Sequence, residues 1–271
     1  MRLLTTETGW TETISLLPAE ETDDSIPMLF HFYWMGTLNE KHFISLKSCR
    51  YFHPSAEILL WTEKCPANEW SIQISKIASI HPFNMAEELR GTFLEGRRIP
   101  DYRSNVTYYS DFIRCILLYK YGGIWADLDC FFLRNFSPLL KLVGSYPAVY
   151  RWESQEYPNN AIFISTTKQN SILESFINYV LTYKQNFGFQ ASAITHDTPI
   201  DLLVLPCSWF DPGWIPNPEG ITFSTFMTDT DKIIDLNTFF KGCFCFHWHN
   251  KWNHRIEPRS ILRQLANQLE V

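Results

Sequence analysis

The chain has 271 residues, 45% hydrophobic and 16% aromatic, enough to bury a full core and remove roughly three-quarters of the unfolded surface from water. Its 23 basic and 29 acidic residues give a net charge of −6. With the basic residues scattered apart from Arg97-Arg98, that balance excludes a nucleic-acid-binding surface.

Residues 1–25 are polar and acidic and read as an N-terminal extension. From Ile26 the pattern is strand (28–34), helix (39–50), strand (57–62), helix (66–78) and strand (79–82). Such alternation predicts a parallel sheet with helices on both faces. Residues 87–105 are polar and broken by Gly91, Gly96 and Pro100, a loop or helical excursion ahead of a helix at 107–121. Strands are expected at 147–152 and 160–165, with an amphipathic helix from Ser171 to Lys184. Residues 186–242 contain five prolines and read as mostly irregular. A last strand covers 244–248, and a closing helix runs from Arg259 to Leu269. No linker divides residues 26–271, which are read as one domain.

The most informative stretch is the 107–121 helix together with the double glycine and short strand after it. Asp111 and Arg114 lie three apart and share a helix face. Gly122 and Gly123 end the helix where positive φ is needed. The apolar strand Ile124-Trp125-Ala126 then runs into Asp127 and Asp129. Two apart on an extended segment, these carboxylates are expected to project to the same side. Held so close at the end of a buried strand, they require a cation. Their oxygens suit a hard divalent ion, Mg²⁺ or Mn²⁺, shared with substrate phosphates. Asp127-Leu128-Asp129 read alone is a solvated turn; the flanking Cys130, Phe131 and Phe132 favour the metal–phosphate reading. The seven cysteines show no disulfide framework and read as small core residues in a reducing compartment. Cys243 and Cys245 share a strand face but lack the second pair of a zinc site.

This stretch resembles the S-D-x-x-R…L-Y…G-G-x-[YW]-x-D-x-D pattern of glycosyltransferase family 32. The same pattern occurs more loosely in α1,4-glycosyltransferases, capsular-polysaccharide transferases and clostridial glucosylating toxins. Three further blocks resemble that group in the same order: Ile26 to Gly36, Asn159 to Ser165, and His247-Trp248-His249-Asn250-Lys251-Trp252. The usual Gly-Ser before the final Trp is Asn250-Lys251 here, and the T-G-P segment is Asp197-Thr198-Pro199.

The resemblance implies a GT-A fold, an α/β domain with a Rossmann-like, mostly parallel central sheet. It also implies retaining transfer of a hexose from a nucleotide-sugar, a UDP-hexose first and GDP-mannose second. Asp129 is expected to ligate Mn²⁺ or Mg²⁺ directly, with Asp127 and His247 completing the set and His249 as second choice. Asp111, Arg114, Asp127 and Asn160 are placed on the donor sugar, Trp34 under the nucleobase, and Lys251 and Trp252 over the diphosphate. Arg114 and Asn160 join the two carboxylates as the catalytic set. Tyr119 and Tyr121 are either structural or ribose contacts; Glu153 and Gln155 are either near the acceptor or surface residues. The acceptor is a saccharide, a lipid-linked saccharide or a protein side chain.

No run of about 18 uninterrupted apolar residues occurs, so no transmembrane segment is expected. The start lacks a secretory layout, which points to a bacterial cytoplasmic enzyme. A secreted, toxin-like effector that glycosylates a host protein is the main variant, and a non-catalytic carbohydrate-binding GT-A protein is a third reading. A phosphoryl transferase is disfavoured because no G-x-x-x-x-G-K-[ST] loop is present.

Overall fold

The computed structural model describes residues 2–4, 9–18, 22–23, 26–64, 67–151, 158–183 and 200–270. In chain order the elements are β1 (Arg2–Leu3), α1 (Trp10–Ile14), β2 (Leu29–Trp34), α2 (Glu40–Phe52), β3 (Glu57–Thr62), α3 (Glu69–Ile74), β4 (Ser79–Pro82) and α4 (Met85–Leu89). Then come α5 (Val106–Tyr121), β5 (Gly123–Ala126), β6 (Cys130–Phe132), α6 (Ser137–Val143), β7 (Ala148–Arg151), β8 (Pro158–Ser165), α7 (Ser171–Tyr183), β9 (Leu203–Pro206), β10 (Cys245–His247) and a last helix, Ile261–Asn267.

The central sheet is mixed α/β in architecture and mostly parallel, with strand order β1-β9-β7-β8-β5-β2-β3-β4. Among the described strands, only β8 runs against its neighbours, β5 and β7. Side chains alternate along β2. Phe30 and Phe32 enter one core with Leu60, Ile124 and Ile164. Tyr33 enters a second core with Phe112, Leu118 and Trp125 on the opposite face. A third core lies under a separate two-stranded ribbon, in which β10 pairs antiparallel with β6.

Local chemistry sets the element ends. Asn39 and His42 form a reciprocal cap at the start of α2, and the Asn105 side chain accepts from the Thr107 and Tyr108 amides at the start of α5. Gly122 ends α5 with φ 69°. Gly123 has φ 105°, and a Cβ there would lie 2.5 Å from the Leu29 carbonyl oxygen. The double glycine is therefore required both for its turn and for the close approach of β5 to β2.

Several elements differ from the sequence reading. Of the helix expected over 66–78, the described residues 67–78 are helical at Glu69–Ile74, and residue 66 lies outside them. β9 lies in the segment read as irregular, too short to stand out until it pairs with β7. The expected last strand joins the ribbon rather than the main sheet. In the N-terminal stretch, β1 pairs with β9. Thr13 of α1 shares a 2.7 Å hydrogen bond with Ser208, and its carbonyl accepts from Trp209 Nε1 at 3.0 Å. No described helix is long and apolar enough to cross a membrane.

Candidate active site

β2 and β5 run parallel and end side by side, so the chain leaving β5 emerges at the carboxyl edge of the sheet. Ligands of such sheets bind there. Asp127, Leu128 and Asp129 do not continue the strand, as the sequence reading expected. They form a turn, with the Cys130 amide donating to the Asp127 carbonyl at 3.2 Å. The reason is topological: the chain must leave the sheet to pair β6 with β10. Both carboxylates nevertheless line one cavity of about 160 Å³, together with Tyr33, Trp34, Arg114 and Asn250.

Two clusters meet at this turn. The first surrounds Arg114, which is buried on α5. Its Nη2 lies 3.0 Å from Asp111 Oδ1 and 3.2 Å from Asp127 Oδ1. Its Nη1 donates to the Asn160 carbonyl at 2.6 Å and to the Asn160 side-chain oxygen at 2.7 Å. The Asn160 amide donates to Asp111 at 3.3 Å, and Trp125 Nε1 donates to Asp127 Oδ1 at 2.7 Å. Thus Asp111, Arg114, Asn160 and Asp127, four residues named from the sequence, form one network. Burial opposes charge on Arg114, but Asp127 and Asp111 outweigh it and raise its pKa. Burial raises Asp111, partly offset by Arg114. Burial also raises Asp127, to about 6, against the pull of Arg114.

The second cluster surrounds Asp129. The ribbon register sets Cys130 opposite His247, and His247 Nε2 lies 3.2 Å from Asp129 Oδ2. The Asn250 amide donates to the same oxygen at 2.6 Å. His249 and Asn250 both adopt left-handed backbone, with φ 54° and 55°. Two successive non-glycine residues there carry strain, and that turn aims the Asn250 amide at Asp129. Burial would raise the Asp129 pKa, but His247 and the hydrogen bonds hold it below its ordinary value. Burial likewise favours neutral His247, yet Asp129 and Asp211 push it well above the ordinary imidazole range.

Asp211 has no counterpart in the sequence reading. Fully buried, it lies 2.7 Å from His249 Nε2 and 3.7 Å from His247 Nδ1. Tyr150 OH shares a 3.0 Å hydrogen bond with His247 Nδ1. Of the two histidines, His247 therefore faces the acidic turn and His249 faces Asp211. Burial would raise Asp211, but the imidazoles hold it at about 2. His249 is lowered by burial and by charge on His247.

This donor set fits a divalent ion. Asp129 and His247 place an oxygen and a nitrogen side by side, with Asp127 across the turn and Asp211 holding the far side of the imidazole. A ligand histidine commonly has such a partner. The charge balance also fits, since acidic groups keep a proton on His247 where a cation would replace it. The Cys130 thiol lies near Asp129 and His247, but burial raises its pKa well above the ordinary value, so it stays protonated.

The remaining residues fall around this centre. Trp34 lines the cavity, donates Nε1 to the Thr37 carbonyl at 3.2 Å, and packs on His42 and Trp252 at 4.2 and 4.8 Å. Lys251 lies with its ammonium 5.1 Å from the Phe223 ring centre. Tyr119 and Tyr121 donate their hydroxyls to Glu174 and Glu88, at 2.7 and 2.8 Å. Lys41, also missed from the sequence, is buried in the first turn of α2. It donates to the carbonyls of Lys251, Trp252 (2.9 Å) and His254. Glu153, Gln155 and Asp197-Thr198-Pro199 lie outside the described residues.

Comparison with known proteins agrees with this geometry. Residues 39–146 match the model of the glycosyltransferase sugar-binding region containing a DXD motif. A 187-residue stretch, 68% of the chain, is 27% identical to inositol phosphoceramide mannosyltransferase 3 of Schizosaccharomyces pombe, spanning about half (46%) of that protein. The glycosyltransferase GlyE of Streptococcus pneumoniae, in its apo form, superposes with a TM-score of 0.54 at 16% identity, covering 90% of this chain and 60% of that one. That likeness is one of fold. Turn and superposition together give this chain a GT-A-type fold, in which residues 39–146 match the DXD-containing sugar-binding region of glycosyltransferases.

Proposed function

We propose that the chain is a metal-dependent, retaining hexosyltransferase that uses a nucleotide-sugar, with Asp129 and His247 as ligands of Mn²⁺ or Mg²⁺ and Asp127 beside them. The observation that carries this reading is the acidic turn at the carboxyl edge of the sheet, opening on a cavity and facing an imidazole. When bound, the ion supplies positive charge to the leaving diphosphate. The chain's own residues do the rest. Asp111 and Asn160 fix the Arg114 guanidinium, which in turn fixes Asp127 toward the donor sugar. The Asn250 amide orients Asp129, and Trp34 and Trp252 wall the cavity and exclude water. Retention is carried by the family resemblance.

A UDP-hexose is the first donor to test. The mannosyltransferase relative keeps GDP-mannose as the second. The test is slow hydrolysis of each donor with Mn²⁺, with the anomer of the released sugar read by NMR. Asp129→Asn should lower turnover at least ~100-fold, the scale of losing several kcal/mol of charge stabilisation. Turnover of that variant within tenfold of the wild type refutes the assignment, and an inverted anomer refutes retention.

A further inference from the structure

The donor-side cavity is lined by Asn250 and Trp252, but Lys251 between them turns the other way. Its ammonium lies over Phe223, with no carboxylate in ion-pair range among the described residues. Phe223 stacks on Trp214 at 5.3 Å and 18°. His249 packs against both rings, at 5.0 and 4.9 Å. All four side chains are partly exposed. Gly213 is what allows this arrangement. A Cβ there would meet the Phe246 ring at 2.6 Å and the Phe223 amide nitrogen at 2.9 Å.

This shelf adjoins the reacting centre. The His249 ring lies 4.0 Å from that of His247, whose Nε2 is 3.2 Å from Asp129. It therefore starts one side chain beyond the acidic turn.

We propose that Trp214, Phe223, His249 and Lys251 form the acceptor subsite, and that it takes a sugar bearing a phosphate. The inference rests on the glycosyl-transfer reading above. Aromatic faces offer flat apolar contact to the C–H face of a pyranose ring, with the polar atoms left at the rim. An ammonium without a counter-ion beside those rings selects an anion, since lysine binds phosphate as a point charge. A neutral acceptor would leave that charge unused.

The test uses the full chain with Mn²⁺ and the nucleotide-sugar that the wild type hydrolyses, and it compares methyl hexosides with their 6-phosphates as acceptors. The phosphorylated acceptors should be preferred in kcat/KM by about tenfold or more, equivalent to about 1.4 kcal/mol. Lys251→Gln should abolish that preference, while Trp214→Ala should raise KM for both acceptor types together. Ligand-observed NMR provides a binding readout independent of turnover. Equal use of neutral and phosphorylated sugars, or binding of neither, overturns the inference. A Lys251→Gln variant that loses donor affinity but keeps the acceptor preference also overturns it, by moving Lys251 to the donor side. Absence of donor hydrolysis by the wild type would instead sink the glycosyl-transfer reading, so the two failures are distinguishable.

Discussion

Arg114 meets two carboxylates and both oxygens of Asn160 from a buried position. Removing one member of a buried ion pair costs about 3–5 kcal/mol, because the partner is left charged without compensation. Arg114→Met should therefore lower the urea midpoint strongly and abolish turnover. The double variant Arg114→Met/Asp111→Leu should recover much of the stability and none of the activity. Equal activity in the double variant and the wild type would show the network to be structural alone. Most of this network was legible from the sequence, since Asp111, Arg114 and Asp127 belong to one continuous motif and Asn160 to a second. Asp211, Tyr150 and Lys41 were not. Each is a single residue without periodicity or motif, brought to the site only by the path of the chain.

At the level of elements, the loop after β10 is held at two points. One is the left-handed His249-Asn250 turn that aims an amide at Asp129. The other is the Lys41 ammonium, which gathers three carbonyls of residues 251–254. Lys41→Met keeps the apolar stem and leaves those carbonyls without their donor, at about 1–3 kcal/mol. Steady-state kinetics should show a donor KM raised by about tenfold with a smaller change in kcat. An unchanged KM would mean that the loop holds its place without the lysine. The parallel units β2-α2-β3 and the helix–Gly-Gly–strand unit were readable because hydrophobic period and turn residues agree there. The ribbon was not, because the pairing of β10 with β6 depends on partners far apart in sequence. The same pairing bends Asp127 to Asp129 into a turn where the local pattern reads as strand.

Over the whole molecule, stability at low pH depends on histidines that are buried neutral. His31 donates Nε2–H to the Gly122 carbonyl at 2.9 Å and accepts from Trp61 Nε1 at 3.1 Å. Burial lowers its pKa to about 4, with the Gly122 bond opposing, and lowers His53 to about 3. The unfolded chain takes these protons near pH 6.5, and the folded chain resists until the depressed values are reached. The contribution is thus complete above pH 6.5 and declines as pH falls toward 4. For each histidine the loss at pH 5 is about 2 kcal/mol. Urea unfolding at pH 7 and pH 5 should show the drop, and a flat profile would contradict it. The ribbon has one more consequence. Its first strand comes directly after the acidic turn, while its second is synthesised far later, after the strands of the central sheet. A nascent chain still short of β10 carries both carboxylates but lacks the imidazole, the amide and the loop. On the proposed reading, the carboxylates meet their imidazole partner only after the central sheet has its strands.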